Sequence, residues 1–166
     1  IGNLVEKATG RIIIATFSSL ISRVKMLIEH AERLGKKIAI DGYSMRTNVE
    51  VAKEMGYIKA KSTSFINIAE INDYPDDKVV IIGTGAQGQS RAMLMRIATG
   101  EHRHVHLKPK DTVIFSSSVI PGNERTVQNL IDHLMRKDAQ VINYEMMDVH
   151  AGGHARQEDI KLMVSL

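Results

Sequence analysis

Short, continuous β-branched runs alternate with amphipathic stretches along this chain, and that alternation constrains its fold more than any other feature. Arg11-Ile12-Ile13-Ile14-Ala15-Thr16 is the first run, and Lys36-Lys37-Ile38-Ala39-Ile40 the second. Residues 78–82, 112–115 and 140–144 repeat the pattern. A strand that is apolar at every position, rather than every second one, is covered on both faces. Between the runs, Leu20, Val24, Leu27, Ile28, Ala31 and Leu34 recur at helical spacing from Ser18 or Ser19 up to a Gly35 stop. Further helices are expected over residues 45–55, 68–72, 89–99, 123–137 and 156–166. Residues 57–67 read as loop, and 103–107 alternate like a short strand. The expected fold is α/β: a Rossmann-like three-layer sandwich around a mostly parallel five-stranded sheet, one domain over residues 1–166. Such sheets bind ligands at the carboxyl ends of their strands.

Composition narrows the function. With no cysteine, neither a disulfide nor a thiolate metal site can form, and a reducing, cytoplasmic setting is expected. No apolar run approaches membrane-spanning length, so no membrane partner is expected. A net charge of +3 with a pI of about 9.2 permits a polyanionic partner without demanding one. The chain opens at Ile1 without a signal-peptide pattern, which suggests a processed product or a piece of a longer protein.

Four polar turns follow the strands: Thr16-Phe17-Ser18-Ser19, Asp41-Gly42-Tyr43-Ser44, Gly83-Thr84-Gly85 and Ser116-Ser117-Ser118. In the segment Phe115 to Glu124, a strand ends in three hydroxyls, turns at Pro121-Gly122 and enters a helix, a geometry suited to a phosphate. Gly83-Thr84-Gly85-Ala86-Gln87-Gly88 has the form of a dinucleotide fingerprint, but it sits at the third strand and lacks the acidic residue downstream. Its backbone N–H groups suit a phosphate without that reading. Arg125 stands in the first turn of a helix that starts at this rim, as does Arg156. His150 and His154 flank Gly152-Gly153, which favours general acid work or a phosphate hydrogen bond over a zinc pair. His102, His104 and His106 share a face on an alternating segment and read as a solvated edge strand rather than a metal trio. Arg96 reads as a surface ion-pair residue.

Together these residues resemble the β-CASP domain of ribonuclease J, a branch of the metallo-β-lactamase-fold nucleases. The resemblance runs from Gly10-Arg11-Ile12-Ile13-Ile14-Ala15-Thr16-Phe17-Ser18-Ser19 through Tyr43-Ser44-Met45 and Thr84-Gly85-Ala86-Gln87-Gly88. It continues through Ser116-Ser117-Ser118-Val119-Ile120-Pro121-Gly122-Asn123-Glu124-Arg125 to His150-Ala151-Gly152-Gly153-His154-Ala155-Arg156-Gln157-Glu158-Asp159. It implies an RNA-clamping domain of a metal-dependent ribonuclease that works as a 5′-to-3′ exonuclease, an endonuclease or both. It also implies two divalent metals, zinc in the usual case, held by a metallo-β-lactamase domain elsewhere in a homo-oligomeric parent. His154 matches the family's catalytic His. Thr84, Gly85, Ser116, Ser117, Ser118, Arg125, His150, Gly152 and Gly153 match or neighbour positions that hold RNA phosphates. The family's His-x-His-x-Asp-His metal motif is absent, so no metal ligand is expected within this fragment, and the fragment alone is expected to be inactive. Departures include Gly152 and Ala86 where Ser is usual, Gln89 where Glu is usual, and Leu20 and Ser22 in place of an Asn and a His. Two other readings share the same residues: a non-catalytic Rossmann-like nucleotide- or RNA-binding module, and a β-CASP relative acting on DNA.

Overall fold

The computed structural model describes residue 6 and residues 8–143. Six parallel strands form one sheet: β1 (Ile12–Ala15), β2 (Lys37–Ile40), β3 (Phe65–Ile66), β4 (Val79–Gly83), β5 (Thr112–Phe115) and β6 (Gln140–Ile142). Their order across the sheet is β3-β2-β4-β1-β5-β6. The helices are α1 (Ile21–Arg33), α2 (Tyr43–Glu54), α3 (Met93–Thr99) and α4 (Glu124–Met135), with 3-10 turns over Ile68–Asp73 and elsewhere.

Side chains alternate across the central strands and build two cores. Ile12, Ile14, Val80 and Ile82 face α1 and α2, packing on Val24, Leu27, Ile28, Met45 and Val49. Ile13, Ala15, Val79, Ile81, Val113 and Phe115 face α3 and α4, packing on Leu94, Ile97, Val127 and Leu130. This explains why the strands are apolar at every position: each face has its own helical layer. A buried Leu or Ile contributes about 1.5–3 kcal/mol relative to exposure. The expected three-layer α/β sandwich is therefore present, with six strands rather than five. The sixth is β3, two residues on the sheet edge paired only with β2, too short for any periodicity to announce it.

Other boundaries differ for local reasons. The helix expected over 89–99 starts at Met93, not Gln89, because the Leu94 N–H is taken by the Thr84 carbonyl at 3.2 Å. The first helix starts at Ile21, and the second at Tyr43. Residues 103–107 form no strand; a hydrogen-bonded loop replaces it, anchored by His102. The helix expected over 156–166 lies outside the described residues.

At the amino ends of the strands the sheet closes on a buried ion pair. Arg11 Nη2 donates to Asp111 Oδ2 at 2.6 Å, and its Nε to Oδ1 at 3.1 Å. The same Nη2 donates to the His106 carbonyl at 2.5 Å, and the Lys108 N–H to Asp111 Oδ2 at 2.8 Å. Both side chains are 1% exposed.

Candidate functional site

Strand register brings the polar turns together at the opposite edge. Past the ends of the strands, the Asp41 N–H bonds to the Ile82 carbonyl, Thr16 to Gly83 and Ser116 to Ala15. The turns after β2, β4, β1 and β5 thus stand side by side in that order. The chain leaves β2 and β1 toward the α1/α2 face, and β4 and β5 toward the α3/α4 face. Each neighbouring pair among these four therefore diverges, opening the crevices in which parallel sheets hold ligands.

Two of the turns are welded by Gln87. Its buried amide Nε2 donates to the Ser118 carbonyl at 2.8 Å and the Ser117 hydroxyl at 3.5 Å, while Oε1 accepts from the Ile120 N–H at 2.9 Å and Asn123 Nδ2 at 3.3 Å. Sequence reasoning passed over Gln87; the one signal was a polar side chain inside a small-residue turn. Gly83 shows how tightly the turns pack. A Cβ there would sit 2.8 Å from the Asp41 carbonyl oxygen and 2.3 Å from Met93 Sδ. Gly88 abuts the backbone of Thr126 in α4, and the chain does not run straight from it into a helix, so the context of a dinucleotide fingerprint is missing.

The welded turns leave backbone donors unused. Among the described residues, the N–H groups of Gly85, Ala86 and Gln87 have no acceptor, nor do those of Ser117, Ser118 and Val119. Gly85, Ala86, Gln87 and Ser117 are buried, and a buried N–H is almost always paired in a folded protein. Successive N–H groups turned to one side form an anion-binding nest.

The three serines are not equivalent. Ser116, fully buried, accepts from Arg23 Nη1 at 3.0 Å, and its carbonyl accepts from Thr16 Oγ1 at 3.1 Å. Ser117 is occupied by Gln87, whereas the hydroxyls of Ser118 and Thr84 make no hydrogen bond among the described residues. Arg23, unremarked in the sequence, brings a guanidinium to the rim from the first turn of α1; burial lowers its pKa from the usual arginine value. The turn ahead of α4 is closed by its own hydrogen bonds, while Asn123 at the helix start caps no N–H of the first turn with its side chain. The Gly122 N–H donates to Glu124 Oε2 at 2.8 Å, and the Asn123 N–H to the Ile120 carbonyl at 2.9 Å. Arg125 is exposed in the first turn of α4. His150, Gly152, Gly153, His154 and Arg156 lie outside the described residues.

A chain-wide match accompanies this geometry. Residues 9–134 match the model of the ribonuclease J β-CASP domain. The chain belongs to that family. It is 45% identical over 163 residues to ribonuclease J of Helicobacter pylori strain J99, covering 98% of this chain and 24% of that protein. Ribonuclease J of Thermus thermophilus is 42% identical over 98% of this chain and 28% of its own length. Ribonuclease J 1 of Streptococcus pyogenes is 44% identical over the same share, 29% of its own length. The chain thus spans about a quarter of the relatives it matches.

This β-CASP domain carries a second polar cluster beside the rim. Asp41 Oδ2 accepts from His102 Nε2 at 3.0 Å and Arg96 Nη2 at 3.3 Å. His102 Nδ1 accepts from the N–H groups of His104 (3.2 Å) and Val105 (3.0 Å), which assigns the ring hydrogen to Nε2. Burial pushes the Asp41 carboxyl up. The hydrogen bonds from His102 and the Gly42 N–H, with the charge of Arg96, outweigh it and hold Asp41 below the usual carboxylate range. His102 is therefore a buried anchor, 3% exposed, and the solvated-edge reading of it is overturned. Its neighbours Val105 and Leu107 belong to the core, which draws the segment inward. Arg96 does form the expected ion pair, with Asp41. Among the described residues no three His, Cys, Asp or Glu side chains converge to hold a metal, and no helix is long and apolar enough to cross a membrane.

Proposed function

We propose that this chain is the RNA-clamping β-CASP domain of a ribonuclease J-like hydrolase acting in RNA processing and decay. One observation carries the reading: among the described residues, the N–H groups of residues 85–87 and 117–119 have no acceptor, on two turns welded by Gln87. They favour an anion, and Thr84 and Ser118 offer it hydroxyls from the same turns. In this reading the backbone nest, Thr84, Gly85, Ser116, Ser117, Ser118 and Arg125 hold RNA phosphates. The Ser116 and Ser117 hydroxyls accept from Arg23 and Gln87, which fixes where they stand in that site. His150, Gly152 and Gly153, outside the described residues, are assigned to RNA phosphates in the same reading, and His154 gives a proton to the leaving oxygen.

In this proposal the two divalent ions, zinc, are held by a metallo-β-lactamase domain of the parent chain. When bound there, they supply the activated water. Here this domain binds the phosphates, orients the scissile bond and holds a proton at His154. A cytoplasmic, homo-oligomeric parent completes the proposal. In the full-length parent, His154→Ala lowers kcat by a factor on the order of 10² to 10⁴, the range for general acid–base groups. Unchanged turnover of a short RNA would remove His154 from that role. The 166-residue chain by itself is expected to cleave nothing; metal-dependent cleavage by rigorously purified fragment would contradict the division of labour.

A further inference from the structure

One face of α2 is left unexplained by the rim site. Tyr43, Arg46, Glu50 and Lys53 are spaced by three and four residues, so they form one stripe along the helix. Tyr43 stands at its first residue and is 83% exposed. The backbone beneath it is fixed. Gly42 has φ +95°, a Cβ there would lie 3.1 Å from Thr84 Oγ1, and the Thr47 hydroxyl donates to the Tyr43 carbonyl at 3.1 Å. The ring is thus presented to solvent by a rigid turn lying directly on the Thr84 end of the rim.

Beyond Tyr43 the stripe borders a cavity. Arg46, Glu50, Lys53, Phe65, Ile66 and Asn67 are among the residues lining a space of about 220 Å³ at the carboxyl ends of β2 and β3. The Lys53 ammonium lies 4.1 Å from the centroid of the Phe65 ring. Glu50 is placed to pair with either cation, yet among the described residues neither Arg46 nor Lys53 forms an ion pair. From Tyr43 to Lys53 the stripe runs about 15 Å at 1.5 Å per residue, the length of a few nucleotides. An exposed aromatic ring followed by two cations without a carboxylate partner among the described residues, beside a phosphate nest, supplies the ingredients of single-stranded nucleic-acid binding.

We propose that this stripe is an RNA track leading away from the rim. Tyr43 stacks on the first base beyond the nest, Arg46 and Lys53 hold the following phosphates, and the cavity at Phe65 receives a base. The track rests on the reading of the rim as an RNA site. The test uses the full-length parent without added metal, with fluorescent single-stranded RNAs of two lengths, the shorter too short to leave the rim. Tyr43→Ala is expected to weaken binding of the longer RNA roughly tenfold and to narrow the affinity gap between the two lengths, whereas Tyr43→Trp keeps the gap. Arg46→Gln with Lys53→Gln is expected to lower the salt slope for the longer RNA by roughly 0.7 per lost phosphate contact. All these side chains reach solvent, and matching melting curves confirm folding. If wild type binds both RNAs and the variants keep its gap and slope, the track is wrong while the rim reading stands. If wild type binds neither RNA, both fall. Unchanged RNA binding with altered sedimentation would assign the stripe to a protein contact and overturn the track.

Discussion

The two edges of the sheet solve opposite problems. At the amino edge, Arg11 and Asp111 are 1% exposed and hold each other by two contacts, with the His106 carbonyl bonded to Arg11 and the Lys108 N–H to Asp111. At the carboxyl edge, Gln87 ties the turns together, yet the N–H groups of residues 85–87 and 117–119 have no acceptor among the described residues. Rigidity alone therefore does not mark a site. The marking difference is polar capacity that the fold holds in place and leaves unspent, which native interiors rarely tolerate without a ligand or water.

The largest effect that would sharpen this contrast comes from the closed edge. Asp111→Ala strands a buried guanidinium and is expected to cost about 3–5 kcal/mol in denaturant unfolding, with RNA affinity per folded molecule unchanged. A loss in RNA affinity beyond the unfolded fraction would break the division between edges. Next is Gln87→Ala, which orphans the Ile120 N–H and the Ser118 carbonyl. A stability loss of about 1–3 kcal/mol is expected, here accompanied by weaker RNA binding, because the two turns lose their registry. Binding at wild-type strength would show that the turns act separately.

Asp41 gives a pH signature. Its folded pKa is held below the unfolded value, so its contribution to stability is full above about pH 4 and is lost as pH falls through the folded pKa. Asp41→Asn should therefore flatten the acid limb of a stability-against-pH curve; an identical limb would contradict the bonding at His102. The smallest effect belongs to Lys108 and Asp76, an ion pair of 2.7 Å, nearly the length of Arg11–Asp111, but with side chains 42% and 40% exposed. Asp76→Asn is expected to change stability by less than about 1 kcal/mol in the same unfolding assay. A loss as large as that of Asp111→Ala would mean that length, not burial, sets the strength of these pairs.

The layered fold was legible because Ile12 to Ile14 and Val79 to Ile82 are apolar on consecutive positions, which only a doubly covered strand tolerates. β3 was not, because two residues on an edge carry no period. The rim was legible as four polar turns, since strand alternation alone places them on one edge. The division of labour within it was not. Nothing local in Ser116-Ser117-Ser118 reveals that Arg23 and Gln87, many residues away in sequence, engage two of the three hydroxyls. His102 misled for the same reason: its partner Asp41 arrives from the turn after β2, and charged neighbours suggested solvent.

The most direct measurement is amide hydrogen exchange of the full-length parent with and without a saturating, non-cleavable single-stranded RNA. Slower exchange is predicted at residues 85–87 and 117–119, with no change at residues 106–112 on the closed edge. Unchanged exchange at both turns, with RNA demonstrably bound, would contradict the assignment of the rim as the phosphate site.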